Sequence, residues 1–227
     1  MEGMIKKEAG SAQADSRVVS SKQKWTHNKL PGLVRRHLNH SYQKPVAGHS
    51  RAAFELMEAA LQKRPCALVL DSFCGTGHST ARLAQRHPDH LVVGVDKSAH
   101  RLAKHAGGTA ENYLLLQADC EDIWRLLLDA GISLDYHYLL YPNPWPKSRH
   151  IQRRIHGSAA FPWLVQLGGQ IELRSNWRIY VEEFGQAMHL AGCCGVVAKL
   201  PQQPALTLFE EKYQRSGHEL WRYRCNR

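Results

Sequence analysis

The chain has no long apolar run and no apolar leader, and we therefore expect neither a membrane-spanning helix nor a signal peptide. Its longest apolar stretches are shorter than ten residues, whereas a helix needs roughly 20 to cross a bilayer. The first residues also lack the apolar core of a signal peptide. We therefore expect a protein that does not span a membrane and acts in the cytoplasm.

Cysteine is present but not arranged for disulfides or zinc. The six cysteines are scattered, with no C-x-x-C pair and no histidine cluster at zinc spacing. We expect reduced, structural cysteines and no metal site. The cysteines are residues 66, 74, 120, 193, 194 and 225.

Negative charge is scarce relative to positive charge. The chain has 30 Lys and Arg against 20 Asp and Glu, a formal net charge of +10. Such a balance favours a polyanionic partner, with nucleic acid as the first candidate and an anionic membrane surface as the second. Residues 1–24 are polar, basic and without hydrophobic periodicity, which predicts a disordered basic arm. We place this arm and a short helical extension in 1–49, and one domain in 50–227.

Hydrophobic periodicity along the domain alternates between helix and strand. Ser50 is expected to cap a first helix that continues to Arg64. Further helices are predicted up to Arg86 and over 98–106, 122–129 and 179–192. Strands are predicted over 67–73, 91–96, 112–117, 134–141, 168–175, 194–200 and 220–225. This alternation predicts an α/β fold with a Rossmann-like, doubly wound and mostly parallel sheet of about seven strands, the last antiparallel.

Polar residues follow the first three predicted strands, where such sheets bind ligands. Gly75 and Gly77 stand in the loop after Asp71, Asp96 ends the second strand, and Asp119 follows the third. The two glycines allow close approach of backbone to a ligand. A G-K-[ST] phosphate loop is missing, which excludes a P-loop kinase, and the incomplete glycine motif disfavours a nicotinamide dehydrogenase. The three acids and the glycines resemble the S-adenosylmethionine site of Rossmann-like methyltransferases.

The fourth strand ends in YPNPWPKSRHIQRRIHG, residues 141–157. Prolines fix φ and restrict the residues before them, so Asn143 is expected to be held rigidly beside the cofactor. The basic residues behind it would contact phosphate. They are Lys147, Arg149, His150, Arg153 and Arg154.

Three motifs together resemble the tRNA (guanine-N7)-methyltransferase family over roughly residues 50–225. They are YPNPWPKSRHIQRRI, GGQIELRSNWRIY and TLFEEK. The resemblance implies an S-adenosylmethionine cofactor, a tRNA or other structured RNA partner, and a monomer or homodimer. It places Lys147, Arg149, His150 and Arg153 in a catalytically important loop that faces tRNA, and it assigns the target guanine to Thr207 and Glu210. With Asn143, His150 and Arg153 form the expected catalytic set.

Two residues of the expected substrate pocket, Asn143 and the substrate-binding Asn176, depart from the family pattern, because members usually carry Asp at these positions. Guanine N7 attacks a methyl group without losing a proton, but the ring becomes cationic. A carboxylate stabilises that charge better than an amide, so each change could cost about 1 to 3 kcal/mol. The N-P-W turn also resembles the N-P-P-[YFW] turn of amino-group methyltransferases. A related enzyme with another purine or RNA acceptor, or a non-catalytic RNA-binding relative, therefore stays open.

Overall fold

The structure, a computed structural model, describes residues 16–226. Of the predicted basic arm, residues 1–15 lie outside the described residues. The helices of the described part are Leu30–Asn39 (α1), Gly48–Lys63 (α2), His78–Arg86 (α3), Ala99–Leu102 (α4), Cys120–Asp129 (α5), Phe161–Gln166 (α6), Arg178–Leu190 (α7) and Leu208–Arg215 (α8). Two short 3-10 helices span Ser148–Arg153 and Ile155–Gly157.

A single seven-stranded sheet with the order β3-β2-β1-β4-β5-β7-β6 organises the domain. Its strands are Leu68–Ser72 (β1), Leu91–Asp96 (β2), Tyr113–Gln117 (β3), Tyr136–Leu140 (β4), Gln170–Ser175 (β5), Gly195–Lys199 (β6) and Trp221–Cys225 (β7). The pairs among β1 to β5 are parallel, and β7 inserts antiparallel between β5 and β6. The predicted α/β class, the strand number and the antiparallel last strand are confirmed.

Helices cover the sheet in two unequal cores. Leu68 and Leu70 of β1 point into the larger core, which contains buried residues of α1, α2, α5, α6 and α7. Val69, between them, points into a smaller core with Leu83 of α3. Burial on both faces explains why β1 is an uninterrupted apolar run rather than an alternating one. The strand order reverses between β1 and β4, so a crevice opens at the carboxyl ends of these strands.

Helix boundaries differ from the sequence expectations in several places. Helix α2 begins at Gly48, so Ser50 is not its cap. Ser50 is instead buried, and its hydroxyl accepts a hydrogen bond from the Asp119 N–H at 3.3 Å. Helix α4 ends at Leu102, short of the expected 106. Helices α6 and α8 were not predicted, because six and eight residues give too few turns for a clear periodicity.

Within residues 16–226, no helix combines the length and the apolar composition needed to cross a bilayer. Within the same residues, no group of His, Cys, Asp and Glu side chains is arranged to hold a metal ion.

Gly94 in β2 lets α3 pack directly on the sheet. A Cβ at this position would lie 2.2 Å from the Thr80 hydroxyl and 2.8 Å from Leu115 Cδ2. We predict that Gly94→Ala lowers the free energy of unfolding by about 1 to 3 kcal/mol, because both neighbours must move. Gly32→Ala in α1 is the matched control, since a Cβ there meets no atom within 4 Å. Urea denaturation of both variants measures the difference, and equal stabilities would contradict the packing argument.

Candidate active site

A cleft of about 650 Å³ lies at the carboxyl ends of the central strands. This volume is within the range of pockets that bind drug-sized ligands. Its walls come from the loop after β1, the residues after β2, the start of α5, the segment after β4 and the start of α8. The lining residues used below are Phe73, Gly75, Arg101, Asp119, Glu121, Tyr141, Asn143, Trp145, Arg153, Thr207, Leu208, Phe209 and Lys212.

The loop after β1 needs its two glycines for different reasons. Both have left-handed φ angles, +63° at Gly75 and +73° at Gly77, which other residues adopt only with strain. Gly75 lines the cleft. Gly77 packs against β3, because a Cβ there would lie 2.5 Å from Leu115 Cδ1. The loop then leads into the N-terminus of α3, where free N–H groups favour a negatively charged ligand group.

Asp96, the last residue of β2, holds the loop after β1 through a hydrogen bond. Its carboxylate accepts hydrogen bonds from the N–H groups of Gly75 at 3.0 Å and Ser98 at 2.8 Å, and it pairs with Arg101 at 3.0 Å. Only 1% of the residue is exposed, and it does not line the cleft. Arg101 is the exposed partner of this pair, since 47% of its side chain is accessible to solvent. Its displacement would open one carboxylate oxygen to a ligand hydroxyl.

Asp71 lies beneath the loop and not in the cleft. It is fully buried, and one carboxylate oxygen accepts hydrogen bonds from Ser79 Oγ at 2.6 Å and Thr80 Oγ1 at 2.7 Å. Burial raises the pKa of Asp71 to about 6. In this structure one carboxylate oxygen fixes the first turn of α3, and the contact of Asp71 with the cofactor stays a prediction.

Asp119 is the predicted cofactor acid that reaches the cleft. It caps α5 by accepting the Glu121 N–H at 3.0 Å, and its side chain is 38% exposed. Lys44 bridges Asp119 at 2.8 Å and Asp122 at 3.0 Å. The hydrogen bonds and charges of these two carboxylates outweigh burial and raise the pKa of Lys44. Lys44, in the segment before α2, thus orients Asp119 on the side of the cleft where the cofactor is expected.

Backbone strain is concentrated in the cleft walls. The non-glycine residues with left-handed φ in the described chain are Phe73 at +64°, Tyr141 at +54° and Trp145 at +45°. All of them line the cleft. Such angles persist where the surroundings over-determine the conformation, and they cluster at functional sites. Asn143 stabilises its turn by accepting the Trp145 N–H at 3.2 Å, and its side chain is exposed in the cleft.

The basic segment after this turn presents charge to solvent. Lys147, Arg149 and Arg153 are exposed. The Arg153 guanidinium lies 4.8 Å from the centre of the Trp145 ring, and the His150 ring packs edge-on against that ring. Desolvation, followed by the charges of Arg153 and Arg149, lowers the pKa of His150. His150 therefore adds an uncharged ring, while the lysine and the arginines supply the positive charge.

Arg154 contradicts its predicted role in phosphate contact. It is fully buried, pairs with Glu183 of α7, and donates hydrogen bonds to the Trp145 carbonyl at 3.1 and 3.3 Å. Glu183 also binds His156 at 3.0 Å. Burial alone would raise the pKa of Glu183, but the His156 hydrogen bond and the Arg154 charge lower it to about 2. A guanidinium in this buried cluster of Arg154, Glu183 and His156 is not available to RNA.

Of the two residues expected to hold the guanine, Thr207 lines the cleft and Glu210 does not. Thr207 caps α8 by accepting the Glu210 N–H at 2.9 Å, and it lines the cleft. Glu210 is fully buried, and both of its oxygens accept hydrogen bonds from Arg174 Nη1, at 2.9 and 3.1 Å. The expectation that Glu210 contacts the base is not met in this structure, because Glu210 lies outside the cleft lining and its carboxylate is held by Arg174, which also pairs with Glu172.

Asn176 is also outside the cleft lining. Its amide nitrogen lies 3.2 Å from His218 Nδ1, and His218 Nε2 lies 3.1 Å from the Ser16 carbonyl oxygen. Asn176 is therefore placed outside the cleft, and its contact with the substrate stays a prediction. Of the two departures from the family pattern, Asn143 is the one that faces the cleft.

Comparison with known proteins places the chain in a family. Residues 66–223 match the family model described as "Putative methyltransferase". The chain belongs to this methyltransferase family. The predicted S-adenosylmethionine cofactor agrees with it, and the cleft fits such a cofactor because it offers a glycine loop, a helix N-terminus and the exposed Asp119.

Curated relatives carry more specific names. The proteins named tRNA (guanine-N(7)-)-methyltransferase of Nitrosospira multiformis and Aeromonas hydrophila are each 28% identical to this methyltransferase. The first match covers 72% of this chain and 76% of the relative, and the second covers 78% and 80%. The protein of the same name from Stutzerimonas stutzeri is 30% identical over 65% of this chain and 67% of its own length.

Solved structures share the fold. The 16S rRNA methyltransferase KamB is 20% identical with a TM-score of 0.54, covering 82% of this chain and 97% of that one. A 16S rRNA (adenine(1408)-N(1))-methyltransferase from Catenulisporales acidiphilia is 18% identical with a TM-score of 0.53, covering 76% and 90%.

Several residues of the methyltransferase cleft were missed from the sequence. Leu208 and Phe209 line it although 51% and 55% of each residue is exposed. Lys212 lies one turn further along α8. The TLFEEK motif contains these three residues, but helix α8 had to be known before they could be placed on the cleft. Phe73 and Tyr141 gave no signal, because their unusual φ angles are not visible in composition or periodicity.

The neighbouring arginines 153 and 154 offer a direct test of the buried cluster in the methyltransferase. We predict that Arg154→Ala lowers the free energy of unfolding by about 3 to 5 kcal/mol, because Glu183 is left buried without its guanidinium partner. Arg153→Ala is the matched control, with a change of about 1 kcal/mol or less, because its side chain is exposed and its contact with the Trp145 ring is a surface cation–π pair. Chemical denaturation at pH 7 measures both. Equal effects of the two substitutions would show that Glu183 does not depend on Arg154.

Proposed function

We propose that this enzyme transfers the methyl group of S-adenosylmethionine to N7 of a guanine in tRNA, in the cytoplasm where tRNA is found. The curated relatives are named for this activity, and the match to this chain covers most of their length. Within the domain proposed for residues 50–227, the loop after β1 and Asp119 would hold the cofactor. The segment after β4 and the start of α8 would hold the base.

One observation carries the RNA part of the proposal. No Asp or Glu occurs between Asp135 and Glu172, and this stretch contains the exposed Lys147, Arg149 and Arg153. Arg153 itself lines the cleft. An uninterrupted positive segment at the mouth of a catalytic cleft favours a substrate that is a polyanion around its reacting base.

The chemistry of the acceptor side also favours guanine N7. The acids that line the cleft, Asp119 and Glu121, are both on the cofactor side. Asp119 pairs with Lys44, and Glu121 accepts a hydrogen bond from Ser158 Oγ at 2.6 Å. The segment 140–145 and the start of α8 contribute no carboxylate to the lining. N7 attacks with an in-plane lone pair and loses no proton, so positioning and orientation suffice and no base is needed.

Asn143 supports a second candidate, methylation of a different purine acceptor by the same cleft. Its carbonyl oxygen is engaged by the Trp145 N–H, which leaves an amide NH₂ to donate toward the substrate. A donor at this position suits a carbonyl or ring nitrogen of another purine. The same experiment separates the two candidates.

Methyl transfer to unmodified tRNA tests the proposal directly. We expect radiolabel from S-adenosylmethionine in tRNA, and 7-methylguanosine when the product nucleosides are separated by mass spectrometry. Asp96→Ala should reduce the rate at least 100-fold, because it frees the loop at Gly75. Asp129→Ala, on an exposed carboxylate at the end of α5, is the control and should not change it. Label in another purine would establish the second candidate, and no label in any tRNA would refute the tRNA assignment.

Asn143→Asp tests how the cleft handles the cationic product. The new carboxylate can accept the Trp145 N–H with one oxygen and face the base with the other, so the turn should be preserved. If guanine N7 is the acceptor, we predict an increase in kcat/KM of about tenfold, equivalent to about 1.4 kcal/mol. Steady-state kinetics with tRNA measures it. A large decrease would contradict stabilisation of the cation by residue 143 and would indicate that the Asn143 amide donates to the base. Because guanine O6 also accepts hydrogen bonds, the methylated nucleoside, and not this decrease, identifies the acceptor.

A further inference from the structure

We propose that residues 22–29, here called the strap, form an RNA-docking surface outside the cleft. In this surface Trp25 stacks on an unpaired base and the strap lysines contact phosphate. The inference rests on the proposed function in taking RNA as the substrate. It adds a second contact that holds the body of the RNA while the target base enters the cleft.

Trp25 is exposed to an extent that packing does not explain. It is 81% exposed, more than any other large apolar residue of the described chain. The strap backbone around it is nevertheless fixed. Gln23 Nε2 donates to the Trp25 carbonyl at 2.7 Å and to Glu183 at 2.6 Å, and the His27 N–H donates to Glu183 at 2.8 Å. An aromatic ring presented on an anchored backbone loses little conformational entropy when it stacks on a ligand.

Some side chains of the strap face the protein, and others are exposed to solvent. Gln23 points inward to the buried cluster, while Lys22, Lys24 and Lys29 are exposed. Just before the strap, Ser21 Oγ donates to the Pro146 carbonyl at 2.7 Å. This contact lies beside Lys147 of the basic segment. The strap therefore extends the positive surface of that segment away from the cleft.

The charge of this region identifies the occupant. No Asp or Glu occurs between Ser16 and Phe54. Lysines on both sides of an exposed indole combine backbone neutralisation with a π-face, the arrangement by which proteins bind unpaired bases of folded RNA. An apolar protein partner would need a larger apolar patch than one indole. An acidic peptide would use the lysines but would not need the ring.

Binding and methyl transfer by the full-length protein test the strap. We expect Trp25→Ala to weaken tRNA binding about 5- to 30-fold with an unchanged slope of log Kd against log salt, and to raise KM for tRNA by the same factor. Trp25→Phe, which keeps a smaller π-face, should recover most of the affinity. Lys22→Gln/Lys24→Gln/Lys29→Gln should instead reduce the salt slope by about 2 to 3. Leu56→Ala is the control, because Leu56 is 64% exposed on α2 and apart from the strap.

The two proposals fail in different ways. If the wild-type protein methylates tRNA while Trp25→Ala and Leu56→Ala both keep its Kd and KM, the strap proposal is overturned and the methyltransferase assignment stands. If tRNA binding depends on Trp25 but no tRNA is methylated, the strap proposal stands and the acceptor assignment fails. Equal loss of affinity in Trp25→Ala and Trp25→Phe would also overturn the stacking role.

Discussion

The turn of residues 143–145 beside the cleft depends on one interaction, the buried cluster of Arg154, Glu183 and His156. A carboxylate buried in α7 is costly unless its charge and its lone pairs are matched. Here both oxygens of Glu183 have partners: Arg154 and His156 bind one oxygen, and the Gln23 side-chain amide and the His27 N–H of the strap bind the other. Because these partners belong to different segments, satisfying one charge fixes the basic segment, the strap and α7 relative to one another. The Trp145 carbonyl, bound by the same arginine, joins this framework.

This framework explains how strained backbone persists beside the cleft. Trp145 has φ of +45°, and a bulky residue adopts that region only when its surroundings leave no alternative. Its carbonyl is held by Arg154 and its N–H by Asn143. The hydrogen bonds on both sides of one residue therefore fix the indole where Arg153 and His150 pack on it. Rigidity at this turn comes from these contacts as well as from the prolines that the sequence shows.

The sheet could be predicted from the sequence because its information is periodic. Buried parallel strands are short apolar runs, and their carboxyl ends meet at one edge, so acids and Asn143 at those ends could be assigned to one region. What could not be predicted is which polar residues turn inward. Arg153 and Arg154 are chemically identical neighbours, but Arg153 ends one 3-10 helix in an exposed position, whereas Arg154 stands before a second one that packs against α7 and is buried. The inward orientation of the Glu210 side chain is likewise set by Arg174, which is distant in sequence.

The structure also changes the meaning of the two amides. Asn143 and Asn176 follow adjacent strands, which made a shared substrate pocket reasonable, yet only Asn143 lines the cleft. The acceptor side therefore lacks one carboxylate rather than two. Under the proposed function, a cationic methylated guanine beside Arg153 and Lys212 would need negative charge from elsewhere, and the phosphates of a tRNA substrate could supply it. Phosphates held by the basic segment would shield those arginines and lysines while the base becomes positive. In this arrangement the docking of the RNA backbone would contribute to the electrostatics of the reaction and would link affinity for the polyanion to the rate of methyl transfer.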